Sequence, residues 1–247
     1  MTSTKTLIIG LIVSILACIS VWHQVFGQAI SIFPLGWMGA GLTYMSIFFH
    51  EIGHTVTAWF YGYPTVPMFD FEHGGGLAVW FSDSIFLIVV CVWGLFGYGI
   101  LVFRDYKIVQ LVLGALLLFN FATFWNEDWH RSVIDFMGPA FEALVAGFFL
   151  FRAIFNLAPR GDFERILNAV FGFGMIFRIF IDGYGLLHNQ EHRLSYYQQK
   201  GMHGFGDFDK IADSLGLGFD SVVYAWGFLG VACLTVPFVL LLFRSST

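Results

Sequence analysis

Charge is scarce in this chain. Asp, Glu, Lys and Arg make up 12% of its 247 residues, about half of the roughly 25% found in soluble domains. So few charges cannot clothe a water-facing surface, which excludes an ordinary soluble globule. The formal charge of −5 comes with no basic patch, and this excludes a nucleic-acid partner. Cysteine is also rare. Cys18, Cys91 and Cys233 each fall inside an apolar run, too far apart for a CxxC knuckle or a disulfide framework. They read as small buried apolar residues.

Hydrophobic residues supply 57% of the chain, with 31 Phe and a mean hydropathy of +0.75. A membrane-crossing helix needs about 20 mostly apolar residues. Seven stretches qualify, at roughly 6–22, 36–60, 84–103, 107–125, 132–157, 166–187 and 220–243. The expected fold is therefore an all-α polytopic membrane protein of about seven transmembrane helices, one integral membrane domain over 1–247. The first run, behind Lys5, reads as a helix that stays rather than a signal peptide that leaves.

Two connections stand out. Residues 61–83 hold Pro64, Pro67 and the Gly74-Gly75-Gly76 run, so a regular helix is excluded there. Alternation in Met68-Phe69-Asp70-Phe71 and in Leu77-Ala78-Val79-Trp80 predicts a short re-entrant β-hairpin after the second helix. Residues 188–219 form the most polar loop, in which Asp207 to Leu215 reads as a short amphipathic helix at the interface. Arg104, Lys107, Arg152, Arg160, Arg165 and Arg244 fall on one side of the alternating spans and place the N-terminus outside. Lys5, Arg193, Lys200 and Lys210 oppose that orientation. Whichever way the chain lies, one membrane face gathers His50, His54, His73, His130, His188, His192 and His203, with only His23 elsewhere.

His50-Glu51-Ile52-Gly53-His54 carries the chemistry. Four residues of helix put His50 and His54 on one face, one turn apart, so both imidazoles can bind one ion. Glu51 can reach a water bound to that ion without being a ligand, and the carboxylate can take its proton. Ionisable groups within an apolar span are functional by default. A third ligand is needed, and Asp182 is the choice. By helix rise it lies about 7 Å below its span end and His54 about 9 Å below its own, on the same face. An ion pair between Asp182 and Arg178, one turn earlier, is the competing role, and Arg178 can also serve as an outer partner of the ligand. His130 and Asp135, at the same rim, are alternative ligands. Glu142, about 15 Å into its span by helix rise, lines the site.

These residues resemble the site-2-protease family of intramembrane zinc proteases. His50 to His54 match its HExxH motif with Gly53 in place, and Ile181-Asp182-Gly183 resembles the later motif whose Asp is the third ligand. Gly138-Pro139 resembles the start of a Gly-Pro motif, with Glu142 where Asn is usual. Two additional spans and the missing Asn-and-Pro lead-in depart from the pattern, and no peptide-binding domain is inserted. The resemblance covers about half the chain. It implies one Zn2+ per chain on His50, His54 and Asp182, Glu51 as general base, and a membrane protein or peptide as substrate, cleaved within or beside the lipid bilayer.

Two other functions stay open. His188-x-x-x-His192 repeats the four-residue spacing with Glu191 between. With His50, His54, His73 and His130 it offers ligands for two Fe ions in a lipid oxidase or hydroxylase. Alternatively the metal is only a staple in a non-catalytic subunit, the protein packing against other membrane subunits.

Overall fold

The computed structural model describes residues 3–26, 34–70, 75–199 and 206–244. Nine helices and one hairpin occur among them: α1 (Ser3–Phe26), α2 (Leu35–Phe60), β1 (Thr65–Asp70), β2 (Gly75–Trp80), α3 (Phe86–Val102), α4 (Lys107–Phe124), α5 (Glu127–Ile154), α6 (Asp162–His188), α7 (Gln190–Gln199), α8 (Asp207–Leu215) and α9 (Phe219–Arg244).

Five helices are long and apolar enough to cross a membrane: α1, α4, α5, α6 and α9. This is fewer than the seven expected. At 17 residues, α3 is a shorter apolar helix. With 26 residues, α2 has the length, but its His, Glu and Thr side chains dilute its hydropathy. The loop expected at 188–219 is also more regular than its polarity suggested, since it contains α7 as well as the anticipated α8.

Helices α5 and α6 form the centre. Half of the most apolar stretch of each is buried, against 11% in α4 and 17% in α9. Small residues allow this. Ala143, Ala146 and Ala153 recur along one face of α5 and, with Leu150, meet Ala169, Phe173 and Ile176 of α6. Outside them, α1 packs on α6, α2 on α5, and α9 on both. The start of α5 is written locally. The Asn126 side chain accepts from the Trp129 N–H at 3.1 Å, and Glu127 and Asp128 sit in the first turn. Its far end is closed by buried Arg165, which donates to the carbonyls of Ala153 (2.6 Å) and Ile154 (3.2 Å).

By contrast, α3 and α4 pair mainly with each other and touch the rest through α2 and α5. Trp93 Nε1 donates to Asn120 Oδ1 between them at 2.8 Å.

The hairpin is antiparallel, with Thr65 opposite Trp80 and Asp70 opposite Gly75. It packs against α2. Phe81 donates to the Pro64 carbonyl at 3.0 Å, and this fixes the parity of the ladder. Alternate pairs below it turn inward, so Gly76, Ala78 and Trp80 point their backbone groups to the outer edge of β2. On the other edge Pro67 occupies an outward position, where a missing N–H is harmless.

Candidate metal centre

The site forms where α2, α5 and α8 meet. Gly53 of α2 faces α5 so closely that an added Cβ would lie 2.1 Å from the Met137 carbonyl oxygen. Gly138 of α5 faces back, and its Cβ would lie 2.2 Å from His54 Nε2 and 2.8 Å from His50 Nε2. Neither position has room for any side chain. The Gly of the His-Glu-Ile-Gly-His run and the Gly of Gly138-Pro139 are thus two halves of one helix crossing. On the far side of Pro139, Trp226 Nε1 of α9 donates to its carbonyl at 2.9 Å.

This crossing orients both imidazoles. His54 Nδ1 donates to the Ile134 carbonyl at 2.8 Å, and His50 Nδ1 to Glu142 Oε1 at 3.0 Å. The Ile134 carbonyl can only accept, so His54 carries its N–H at Nδ1 and presents a lone pair at Nε2. His50 lies between two carboxylates; with a single N–H at Nδ1 its Nε2 would also present a lone pair, 3.0 Å from His54 Nε2. Into the same spot α8 brings Asp207, whose Oδ2 is 3.0 Å from His50 Nε2 and 3.5 Å from His54 Nε2. Donors sharing one tetrahedral ion at 2.0–2.1 Å would stand about 3.3 Å apart. Three electron-pair donors this close repel one another unless a cation lies between them. Either a proton on His50 Nε2, within reach of both Asp207 Oδ2 and His54 Nε2 at 3.0 Å, or a metal ion can occupy this point. His50, His54 and Asp207 can hold a metal ion, and their Nδ1 partners are of the kind that fix metal-binding histidines.

Glu51 is 6% exposed. An added Cβ on Gly76 would lie 2.7 Å from its Oε1, so the β2 backbone runs directly over this carboxylate. Beside the donors opens a cavity of about 940 Å³ whose walls include His50, Glu51, Gly76, Glu142, Arg178 and Asp182.

The expected third ligand, Asp182, is not in the donor group. Its Oδ2 pairs with Arg178 Nη2 at 3.3 Å, and its Oδ1 lies 3.9 Å from His192 Nε2. The matched depths were a fair guide to the cavity, which Asp182 lines, but Arg178 on the same helix face engages it first. Asp207, which the sequence places on an interfacial helix, stands in the donor group instead. Glu142 lines the site as expected and also holds His50. The alternative ligands are not members of the donor group. His130 Nε2 accepts from the Tyr63 hydroxyl at 2.8 Å, and its Nδ1 faces the Phe124 carbonyl at 3.2 Å. Asp135 faces Lys210 of α8 at 3.9 Å. His73 and His203 lie outside the described residues.

Asp207 is held by its surroundings. Phe208 packs on Tyr196, Phe219 and Trp226, and its N–H donates to the Tyr196 hydroxyl at 3.3 Å. Burial, then the nearby Asp207 charge, raises the Tyr196 phenol above its ordinary range, so it stays protonated.

The chain matches no protein-family model, no curated protein and no solved structure, so the reading of this centre rests on its own geometry.

Proposed function

We propose that the protein is an intramembrane zinc metalloprotease in which His50, His54 and Asp207 hold one zinc ion and Glu51 is the general base. The observation that carries this reading is the convergence of two imidazole nitrogens and one carboxylate on a single point beside a buried glutamate. Two histidines, one carboxylate and an open position form a donor set used by hydrolytic zinc sites. When bound, zinc supplies a Lewis acid and lowers the pKa of water to about 7.

The chain's own residues supply the rest. Glu51 takes the proton of the attacking water and returns it to the leaving amine. Glu142 and the Ile134 carbonyl keep the rings turned. A helical substrate hides its carbonyls in hydrogen bonds, so the reacting segment must be extended. The outer edge of β2 at Gly76, Ala78 and Trp80 has no strand partner among the described residues. A peptide added there would pass beside Glu51.

The same donor set also suits iron(II) in an oxygenase. The buried Glu51 favours hydrolysis, because oxygen activation does not call for a base in that position. The two-iron arrangement would also need His130, His188 and His192, which have other partners. Metal analysis of the purified protein, followed by peptide hydrolysis with Glu51→Gln, tests the proposal. About one zinc per chain with hydrolysis lost in Glu51→Gln is expected. Iron in place of zinc would overturn it. Zinc with unchanged behaviour in Glu51→Gln would leave only a metal staple for a membrane complex.

A further inference from the structure

Behind His50 runs a row of alternating charge that the proposed chemistry does not use directly. Glu142 Oε1 takes the His50 Nδ1–H at 3.0 Å, while Glu142 Oε2 faces Arg178 Nη1 at 3.4 Å. The other end of the guanidinium, Nη2, is held by Asp182 Oδ2 at 3.3 Å. These side chains are mostly buried: Glu142 is 5% exposed, Arg178 16% and Asp182 17%.

We propose that Arg178 is a positioning residue for the metal ligand His50, acting through Glu142, and that Asp182 anchors Arg178 in that role. The inference rests on the reading of His50 as a ligand. A carboxylate that touches His50 with one oxygen alone is free to rotate, and the ring turns with it. Here the second oxygen is pinned by a planar cation whose own second arm is fixed one helical turn away. Each member is thus held at two points, and the row ends on the ring that must aim Nε2 at the ion. Arg suits the place because its fork reaches two carboxylates in fixed directions, which an ammonium cannot do.

A plain staple between α5 and α6 would give a different result, and the molecule contains one for comparison. Arg152 of α5 pairs with Glu164 of α6 at the opposite end of the same two helices. Outer partners of metal ligands typically change metal affinity by roughly 10–100-fold. The full chain in detergent would be titrated with zinc against a competing chelator, and with cobalt(II), whose d–d absorption reports ligand geometry. Arg178→Gln should weaken zinc binding roughly 10–100-fold and shift the cobalt spectrum. Arg178→Lys should recover part of the loss. Glu142→Gln combined with Arg178→Gln should lose little more than either alone, because both act along one path. Arg152→Gln should leave affinity and spectrum unchanged.

Equal affinity and an unshifted spectrum in Arg178→Gln would overturn the proposal while leaving the metal site intact. If the wild type binds neither metal, the site reading fails and this proposal fails with it. If Arg178→Gln does not fold, Asp182→Asn loosens the anchor while keeping the guanidinium. A smaller loss of affinity in Asp182→Asn then supports the proposal, and no loss overturns it.

Discussion

The chain contains two His-x-x-x-His spacings with a glutamate between them, and they end up differently. His50 and His54 lie on the uninterrupted helix α2, so their rings share a face, with centroids 4.7 Å apart. His188 closes α6 and His192 lies in α7, with Asn189 extended between the helices. There His188 donates to its own Tyr184 carbonyl at 3.1 Å and stacks on that ring, while His192 turns inward to Asp182. Spacing makes a ligand pair only where the helix is continuous and a neighbouring element supplies acceptors for Nδ1. For the first pair, α5 does so at Ile134 and Glu142.

The largest contrast is expected in metal content. His54→Ala and Asp207→Ala should each weaken binding by more than the roughly 100-fold upper range for an outer partner. His188→Ala and His192→Ala should leave about one ion per chain. Asp182→Ala decides between the reading of the sequence and the geometry: retained stoichiometry supports Asp207 as the third donor, while complete loss would restore Asp182.

Next come the glycines. Gly138→Ala must push both imidazoles aside, so it should remove the metal site and destabilise the fold by about 1–3 kcal/mol, the usual range for overpacking. Gly97→Ala on α3 meets nothing within 4 Å, and helix propensity favours it by roughly 0.5–1 kcal/mol. Gly76→Ala separates the two roles within the first site. It displaces Glu51 but none of the three donors, so hydrolysis should fall with zinc retained. Metal analysis, peptide hydrolysis and thermal unfolding of the three variants check the set.

Much of this was legible in the sequence. Length and apolarity located the long helices, though not α7, and the shared face of His50 and His54 follows from helical spacing. The Pro and Gly content of 61–83 excluded a helix, and alternation gave the hairpin. Asp207 was harder because it is distant in sequence and lies in the most polar stretch. A signal did exist. On a helix, Asp207, Phe208, Ile211 and Ala212 fall on one stripe, and all four are buried. A carboxylate on the apolar face of an amphipathic helix needs a partner, and that partner is the histidine pair. Asp182 shows the opposite case. Its depth matches, but its i,i+4 neighbour Arg178 engages it at 3.3 Å from the same helix, and it stands outside the donor group. Two of the seven expected spans are not among the five, for different reasons: α3 is short, and polar side chains lower the hydropathy of α2.

A smaller effect sharpens the difference between a ligand histidine and a structural one. Tyr63→Phe removes the donor to His130 Nε2 and should lower stability by about 1–3 kcal/mol, the range for a buried polar atom left unpaired. Metal content should not change, because His130 lies outside the donor group. A loss of zinc in Tyr63→Phe would return His130 to the list of ligands.

The smallest effect belongs to the second spacing and depends on pH. His192 lies on α7, outside the spanning helices. Burial holds its pKa below the ordinary 6.5, with Asp182 opposing and Arg178 assisting. A base whose folded pKa is depressed is bound more tightly by protons when unfolded. Its contribution to stability is then complete above the unfolded value of 6.5 and is lost as pH falls below it. Acidification from pH 7.5 to 5 should therefore loosen α7 in the wild type more than in His192→Gln, which cannot take the proton. Thermal unfolding of both proteins across that range measures the difference. Equal slopes would mean that the Asp182 charge offsets the burial of His192, and the imidazole would then carry no acid sensitivity of its own.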